Sequence, residues 1–258
     1  MILALDIGNT HIEIGLYKEE KYLDSWRIAT GVHRTEDEMM TFIHHFLTLR
    51  GLNAQSIQDI AISSVVPIIT LIFEKLSKKY FGKVPLVVDY KLDLGIRIDY
   101  DPPYSVGADR LCNAIAVYDK FGGPAIVVDM GTATTFDVVS SEGVYLGGVI
   151  APGLETAARG LHERASKLPT ISLEFPSTVI GKNTEKSMQS GVMLGSVKMI
   201  DGLIELIGEE LKKEPIVVAT GGLSRLIGPK SRYIQHVEKH LVLDGLISIY
   251  MRNRMVSP

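Results

Sequence analysis

One short pattern occurs twice in this chain, and it constrains the fold more than any other feature. The first seven residues are an apolar run ending at Asp6, followed by Gly8-Asn9-Thr10. Ala125 to Met130 is a second apolar run ending in Asp129, followed by Gly131-Thr132-Ala133-Thr134-Thr135. Each run reads as a buried strand that delivers an aspartate to a glycine turn. The two aspartates stand 123 residues apart in a chain of 258, so the repeat cuts it into halves. Two similar domains facing each other would account for it.

The rest of the chain fits an α/β reading. Ile12, Ile14 and Leu16 alternate with His11, Glu13 and Gly15, and Tyr22 to Ile28 adds a third strand, so the chain opens with an antiparallel meander. Thr35 with Glu38 is a capping box ahead of Met39, Phe42, Ile43, Phe46 and Leu47 at helical spacing. Ile57 to Val66 reads as a strand, Pro67 opens a second helix, and Leu86 to Asp89 is another strand. Two prolines keep Arg97 to Ser105 extended or looped, and Gly107 begins a helix. Gly122-Gly123-Pro124 is strong punctuation, which places an N-terminal domain at 1–121 and a C-terminal domain at 122–258. Phe136 to Val139, Val144 to Ile150 and Ile216 to Ala219 read as further strands, and a last helix holds Leu243, Leu246, Ile247 and Tyr250. Met193, Val197, Ile200, Ile204, Ile207 and Leu211 form a heptad-like stripe on a long helix. Ser187, Gly191 and Gly195 would let another helix approach it. A core helix and a dimer seam both explain that stripe.

Charge and cysteine usage remove several classes. Thirty acidic against 27 basic residues give a net charge of -3, without the basic excess of a nucleic-acid binder. The single Cys112 cannot form an intramolecular disulfide, which fits a reducing compartment. No apolar run approaches the roughly 20 residues that span a membrane. Met1 to Asp6 lacks the basic region of a signal peptide. The expectation is a soluble cytoplasmic protein with no nucleic-acid or membrane partner.

Three glycine-containing turns follow apolar strands: Asp6 to Thr10, Asp129 to Thr135, and Thr220-Gly221-Gly222. Polyphosphate needs backbone N–H groups at close range, and glycine permits that approach. Asp6 and Asp129 can hold a cation that offsets phosphate charge, and hard oxygen donors suit magnesium or potassium rather than zinc. A single such turn is most often an ordinary hairpin; two copies at corresponding places, with a third turn, favour phosphate. The fourth cluster is Gly107-Ala108-Asp109-Arg110 at a helix start. A first-turn Asp commonly just compensates the helix dipole. Here Tyr100 and Pro102-Pro103 precede it and Arg110 suits a carboxylate or phosphate, so Asp109 can accept a hydroxyl proton in phosphoryl transfer.

Other signals carry no chemistry. Gly-Pro-Lys-Ser at 228–231 lacks the Gly-Lys junction of a phosphate-binding P-loop, and His162-Glu163 lacks the second His of a metalloprotease pair. His44-His45 reads as a solvated face, His236 and His240 have too little company for a metal, and Cys112 reads as a buried helix residue.

The Asp-x-Gly turns, Gly107 to Arg110, Gly147 to Gly153, Gly181-Lys182-Asn183-Thr184 and Thr220-Gly221-Gly222 together resemble the type III pantothenate kinases, within the acetate and sugar kinase, Hsp70 and actin superfamily. The resemblance covers nearly the whole chain. It implies two related ribonuclease H-like domains with a nucleotide cleft between them. It implies a first phosphate loop of Asp6, Ile7, Gly8, Asn9, Thr10, His11, Ile12 and Glu13, with Thr132, Gly221 and Gly222 also on ATP. Tyr100, Gly107, Ala108, Asp109, Arg110 and Thr184 would surround pantothenate, with Asp109 the catalytic base. Asp129 would bind a monovalent cation, K+ or NH4+, and Asp6 would serve Mg2+. The family is homodimeric, which tips the stripe towards a seam through the helix at 184–212, with Thr184 reaching the partner's site. Pro102-Pro103 stands where many relatives carry Asn-Pro, and this bears on the shape of the Tyr100 lid.

The expected activity is ATP-dependent phosphorylation of pantothenate, the entry step to coenzyme A. The rivals are a sugar-type kinase of the same superfamily, a regulatory relative that lost its chemistry, and an actin-like filament former. The last would need a longer chain, and Asp6, Asp109 and Asp129 argue against lost chemistry.

Overall fold

Both halves begin as the repeat predicts, and the computed structural model shows how far the likeness extends. It describes residues 1–31 and 33–254. The chain divides into two units, one of Met1–Asp119 with the segment from His240 onward, the other of Lys120–Lys239.

The first unit is built on β1 (Ile2–Ile7), β2 (His11–Lys18), β3 (Lys21–Ala29), β4 (Asp59–Ser64) and β5 (Leu86–Val87), in the order β3-β2-β1-β4-β5. The first three form an antiparallel meander; β4 and β5 join in parallel. Further along lies the short strand β6 (Arg97–Ile98). The second unit repeats the plan with β7 (Ala125–Met130), β8 (Ala133–Val139), β9 (Val144–Pro152), β10 (Ile216–Thr220) and β11 (His236–Val237). Its order is β9-β8-β7-β10-β11, again an antiparallel meander continued by two parallel strands. The recurrence seen in five residues is therefore a recurrence of topology. β1 and β7 even share one burial pattern, apolar residues buried on both faces with only the aspartate partly open. A strand covered on both sides must be apolar throughout, which is why these two read as unbroken runs.

Alternation along β1 sends Leu3, Leu5 and Ile7 to one face. There they pack with Met39, Ile43 and Leu47 of α1 (Glu36–Leu49) and Ile69, Phe73 and Leu76 of α2 (Pro67–Leu76). The Thr35–Glu38 capping box starts α1 as expected, and Pro67 sits in the first turn of α2. Asp6 faces the other way, towards the layer that carries α3 (Ala108–Phe121). In the second unit Ile126, Val128, Met130, Val217 and Ala219 pack against Leu154 of α4 (Leu154–Arg164) and the long helix. That helix runs from Thr184 to Leu211 as α5 (Thr184–Gln189), a π-helical turn and α6 (Gly195–Leu211).

Two expectations are corrected here. Met193, Val197, Ile200 and Ile204 are buried in the second unit's own core, with Ile207 and Leu211 packed at its edge. The stripe is a core seam, because the apolar sheet face beneath it needs a cover. The last helix also lies elsewhere than the boundary at 122–258 implies. After the short α7 (Ser224–Ile227) the chain returns, and α8 (Leu241–Arg254) packs on the first unit. Tyr17 Oη donates to Asp244 Oδ1 at 2.8 Å, Tyr250 Oη to Asp59 Oδ2 at 2.6 Å, and Arg252 Nη2 to Asp119 Oδ1 at 2.6 Å. Gly245 makes the closest approach: a Cβ there would stand 1.9 Å from the Cys112 carbonyl oxygen, so only glycine lets α8 meet α3. No helix among the described residues is long and apolar enough to cross a membrane.

Candidate active site

In the first unit, strand pairing creates the site. Asp6 and Ser63 are in register on the parallel pair β1 and β4, and Ser63 Oγ donates to Asp6 Oδ1 at 2.9 Å. Both are near the ends of their strands, where the chain turns away and the sheet's other face receives α3. Cys112, one turn along α3 from Asp109, is fully buried there. Its thiol is pushed well above the ordinary value, first by burial and then by the negative charge of Asp6; a hydrogen bond with Ser63 opposes this, and Asp109 adds to it. Both carboxylates thus act electrostatically on this stretch of helix. Asp109 is partly exposed in the first turn of α3, where its Oδ1 accepts the Arg110 backbone N–H at 2.8 Å. Burial raises the Asp109 pKa above the usual carboxylate value, and the Arg110 N–H and guanidinium pull it back in part. A carboxylate held like this is a stronger base than one in water.

The stretch from Asp6 to Glu13 is not one loop. Ile7 and Ile12 are fully buried in the core, so only their backbone can face a ligand. Gly8, Asn9 and Thr10 form the turn, and the Gly8 N–H donates to the His11 carbonyl at 3.0 Å. His11 Nδ1 lies 2.7 Å from Arg27 Nη2, while Glu13 Oε1 lies 3.0 Å from His240 Nδ1. The Tyr22 ring stacks on His240 with centroids 4.4 Å apart. Tyr100 is partly exposed, and Pro103–Ser105 forms a single 3-10 turn leading to Gly107.

The second unit carries the other turns. Asp129 of β7 is opposite Thr135 of β8 and beside Thr220 of β10. The Gly131 N–H donates to the Ala133 carbonyl at 3.0 Å, closing a turn one residue shorter than that of Gly8. Thr132 is exposed, and so is Gly222. Gly221 has φ +88, and a Cβ there would stand 2.5 Å from Asp129 Oδ1, so this turn closes directly over the aspartate. Behind Asp129, the buried Asp137 accepts the Tyr145 hydroxyl at 2.8 Å and Thr135 Oγ1 at 3.3 Å. Thr184 is exposed at the start of the long helix, whose cap is Asn183 accepting the Lys186 N–H at 2.8 Å.

The sequence-predicted residues are therefore shared out. Asp6 to Glu13, Tyr100 and Gly107 to Arg110 belong to the first unit; Asp129, Thr132, Thr184, Gly221 and Gly222 belong to the second. Sequence reasoning missed Ser63, which has no glycine or charge around it to mark it, and the hydroxyls of Thr30 and Thr156. Thr30 Oγ1 donates to the Gly8 carbonyl and Thr156 Oγ1 to the Thr132 carbonyl, each at 2.7 Å.

The profile of the type III pantothenate kinase family matches residues 2–206. The chain belongs to that family. Among named members, the type III pantothenate kinase of Geobacter sulfurreducens is 46% identical over 254 residues, covering 98% of this chain and 100% of its own length. That of Geotalea uraniireducens is 45% identical, covering 98% and 99%. The fold is shared more widely than the sequence. The crystal structure of a ROK hexokinase from Thermus thermophilus superposes with a TM-score of 0.54 over 98% of this chain and 99% of that one, at 11% identity. The likeness is one of fold.

Proposed function

We propose that this protein phosphorylates the primary hydroxyl of pantothenate at the expense of ATP, the first step towards coenzyme A. The observation that carries this reading is Asp109. It is a carboxylate raised in basicity by burial, one turn of α3 before Cys112, the thiol that feels the charge of the phosphate-turn aspartate Asp6. Asp109 orients the hydroxyl and takes its proton late in the transfer; Arg110 holds the substrate. The glycine turns at Gly8, Gly131 and Gly221 offer backbone N–H groups to the phosphates. Full-length relatives named for this activity support the assignment.

Among the described residues no group of three or more His, Cys, Asp or Glu side chains is placed to hold a metal. This fits Mg2+, which keeps several waters and needs only one or two carboxylates beside the phosphate oxygens. Asp6, oriented by Ser63, would hold it, and the ion would disperse phosphate charge. Asp129, with the hard oxygens of Thr135 and Thr220 beside it in the sheet, suits a monovalent cation, K+ or NH4+. We place the protein in the cytoplasm as a homodimer. Its interface would use the outward face of the long helix, where Cβ atoms at Gly191 and Gly195 would meet nothing within 4 Å.

A coupled ADP-release assay tests the reading. Pantothenate-dependent ADP release, stimulated by K+, is the expected result. A signal with hexoses and none with pantothenate would transfer the protein to the sugar-type kinases. Light scattering at twice the chain mass checks the dimer.

A further inference from the structure

Three turns proposed to meet ATP, one in the first unit and two in the second, share a device that their glycines do not explain. In each, a side-chain hydroxyl donates to one backbone carbonyl of the turn. Thr30 Oγ1 meets the Gly8 carbonyl at 2.7 Å, Thr156 Oγ1 meets the Thr132 carbonyl at 2.7 Å, and Ser224 Oγ meets the Gly221 carbonyl at 2.7 Å. The hydroxyls come from different elements: the residue after β3, the first turn of α4 and, three residues beyond its own turn, the first residue of α7. Each turn also has a backbone bond nearby. The Thr30 N–H reaches the Thr10 carbonyl at 2.9 Å, the Gly153 N–H the Thr132 carbonyl at 3.2 Å, and the Ser224 N–H the Gly221 carbonyl at 3.2 Å.

The consequence follows from the planarity of the peptide. In a trans peptide the carbonyl of one residue and the N–H of the next point in opposite directions. Fixing the carbonyls of Gly8, Thr132 and Gly221 therefore fixes the N–H groups of Asn9, Ala133 and Gly222. Gly8 and Gly221 let the first and third of these planes turn over at little steric cost, whereas the Thr132–Ala133 plane only follows a glycine, Gly131; a turned plane would aim a carbonyl, not an N–H, at phosphate oxygens. We propose that Thr30, Thr156 and Ser224 are positioning residues that lock these three peptide planes in the orientation that accepts phosphate. A hydroxyl behind each turn holds its plane, and at Gly8 and Gly221 it removes the freedom that glycine gives, so the N–H groups are aligned before nucleotide arrives. The proposal rests on the reading that these turns bind ATP, and it goes beyond it by naming residues that touch no ligand.

Thr30→Val and Thr156→Val remove the hydroxyl while keeping the branched shape. Each should raise the KM for ATP and weaken ADP binding, measured by calorimetry, about tenfold, the worth of one well-placed hydrogen bond. The pantothenate KM should stay within about twofold, and Thr30→Ser should restore ATP affinity to within about threefold. Both Val variants with ADP affinity and ATP KM near the native values would overturn the proposal. A parallel rise in both KM values with a lowered melting temperature and no rescue by Ser would also overturn it, since that is loss of fold. Weakened ADP binding in an enzyme that ignores pantothenate would uphold the positioning role and overturn only the substrate assignment. A native protein that binds no nucleotide overturns both.

Discussion

Ser63 and Asp6 face each other across parallel strands, and the Ser63 hydroxyl gives its only proton to Asp6 Oδ1 at 2.9 Å. Ser63 is fully buried, so water cannot replace this bond. Ser63→Ala should lower kcat about tenfold by releasing the Asp6 carboxylate, with a loss of about 1 kcal/mol in stability. Steady-state kinetics and urea denaturation check both. A kcat within twofold of native would show that Asp6 does not depend on Ser63.

Asp109 should control the acid side of the pH–rate profile. Its pKa is raised by burial, so the base form is lost as pH falls through a value above the ordinary ~3.9 of an aspartate. Asp109→Asn should reduce turnover by about 10²- to 10⁴-fold and remove that limb, leaving ADP binding intact. The stability effect has the opposite sign from that of a salt-bridged carboxylate. Between the unfolded and the raised folded pKa, the native state keeps a proton that the unfolded chain has released. Stability therefore falls as pH rises through that window, and the Asn variant should lack this slope. Melting temperatures of the two proteins between pH 4 and 8 test it, and parallel curves would remove burial as the cause.

What the sequence disclosed here was whatever repeats or is punctuated locally. The Asp6 and Asp129 strands are apolar on both faces, so they stand out as runs, and Gly8, Gly131 and Gly221 mark their turns. Gly107 to Arg110 was visible because an Asp and an Arg occupy a helix start. Ser63, Thr30 and Thr156 were invisible for one reason: each acts on a partner 22 or more residues away, through a hydroxyl with no local signature. The heptad-like stripe from Met193 misled because a helix buried on its own sheet and one buried on a partner helix have the same spacing. The return of α8 depends on Gly245 meeting the Cys112 carbonyl, a contact that no periodicity announces.

Tyr145 should prove structural rather than catalytic. Its buried hydroxyl donates to the buried Asp137 at 2.8 Å, behind Thr135, which is the cross-strand neighbour of Asp129. Tyr145→Phe removes a hydrogen bond to a side chain that solvent cannot reach, and should cost about 1–3 kcal/mol. Denaturant midpoints measure the loss. Turnover at saturating substrates and K+ should remain within about threefold of native once the folded fraction is allowed for. A large kcat loss in a stable variant would make Asp137 part of the chemistry.

Gly221 gives the sharpest test of the second unit's turn. Its φ of +88 lies in the region that L-residues avoid, and an added Cβ would stand 2.5 Å from Asp129 Oδ1 and 2.7 Å from both the Met130 nitrogen and carbonyl carbon. The side-chain oxygen could move aside, but the Met130 backbone is held in β7, between β8 and β10. Gly221→Ala must therefore push the turn away from Asp129, and it combines strain of about 1–3 kcal/mol with a displaced Gly222 N–H. The expected result is a lower denaturation midpoint together with at least about tenfold weaker ADP binding. Loss of stability with native ADP affinity would show that this turn shapes the strand end and takes no part in holding nucleotide.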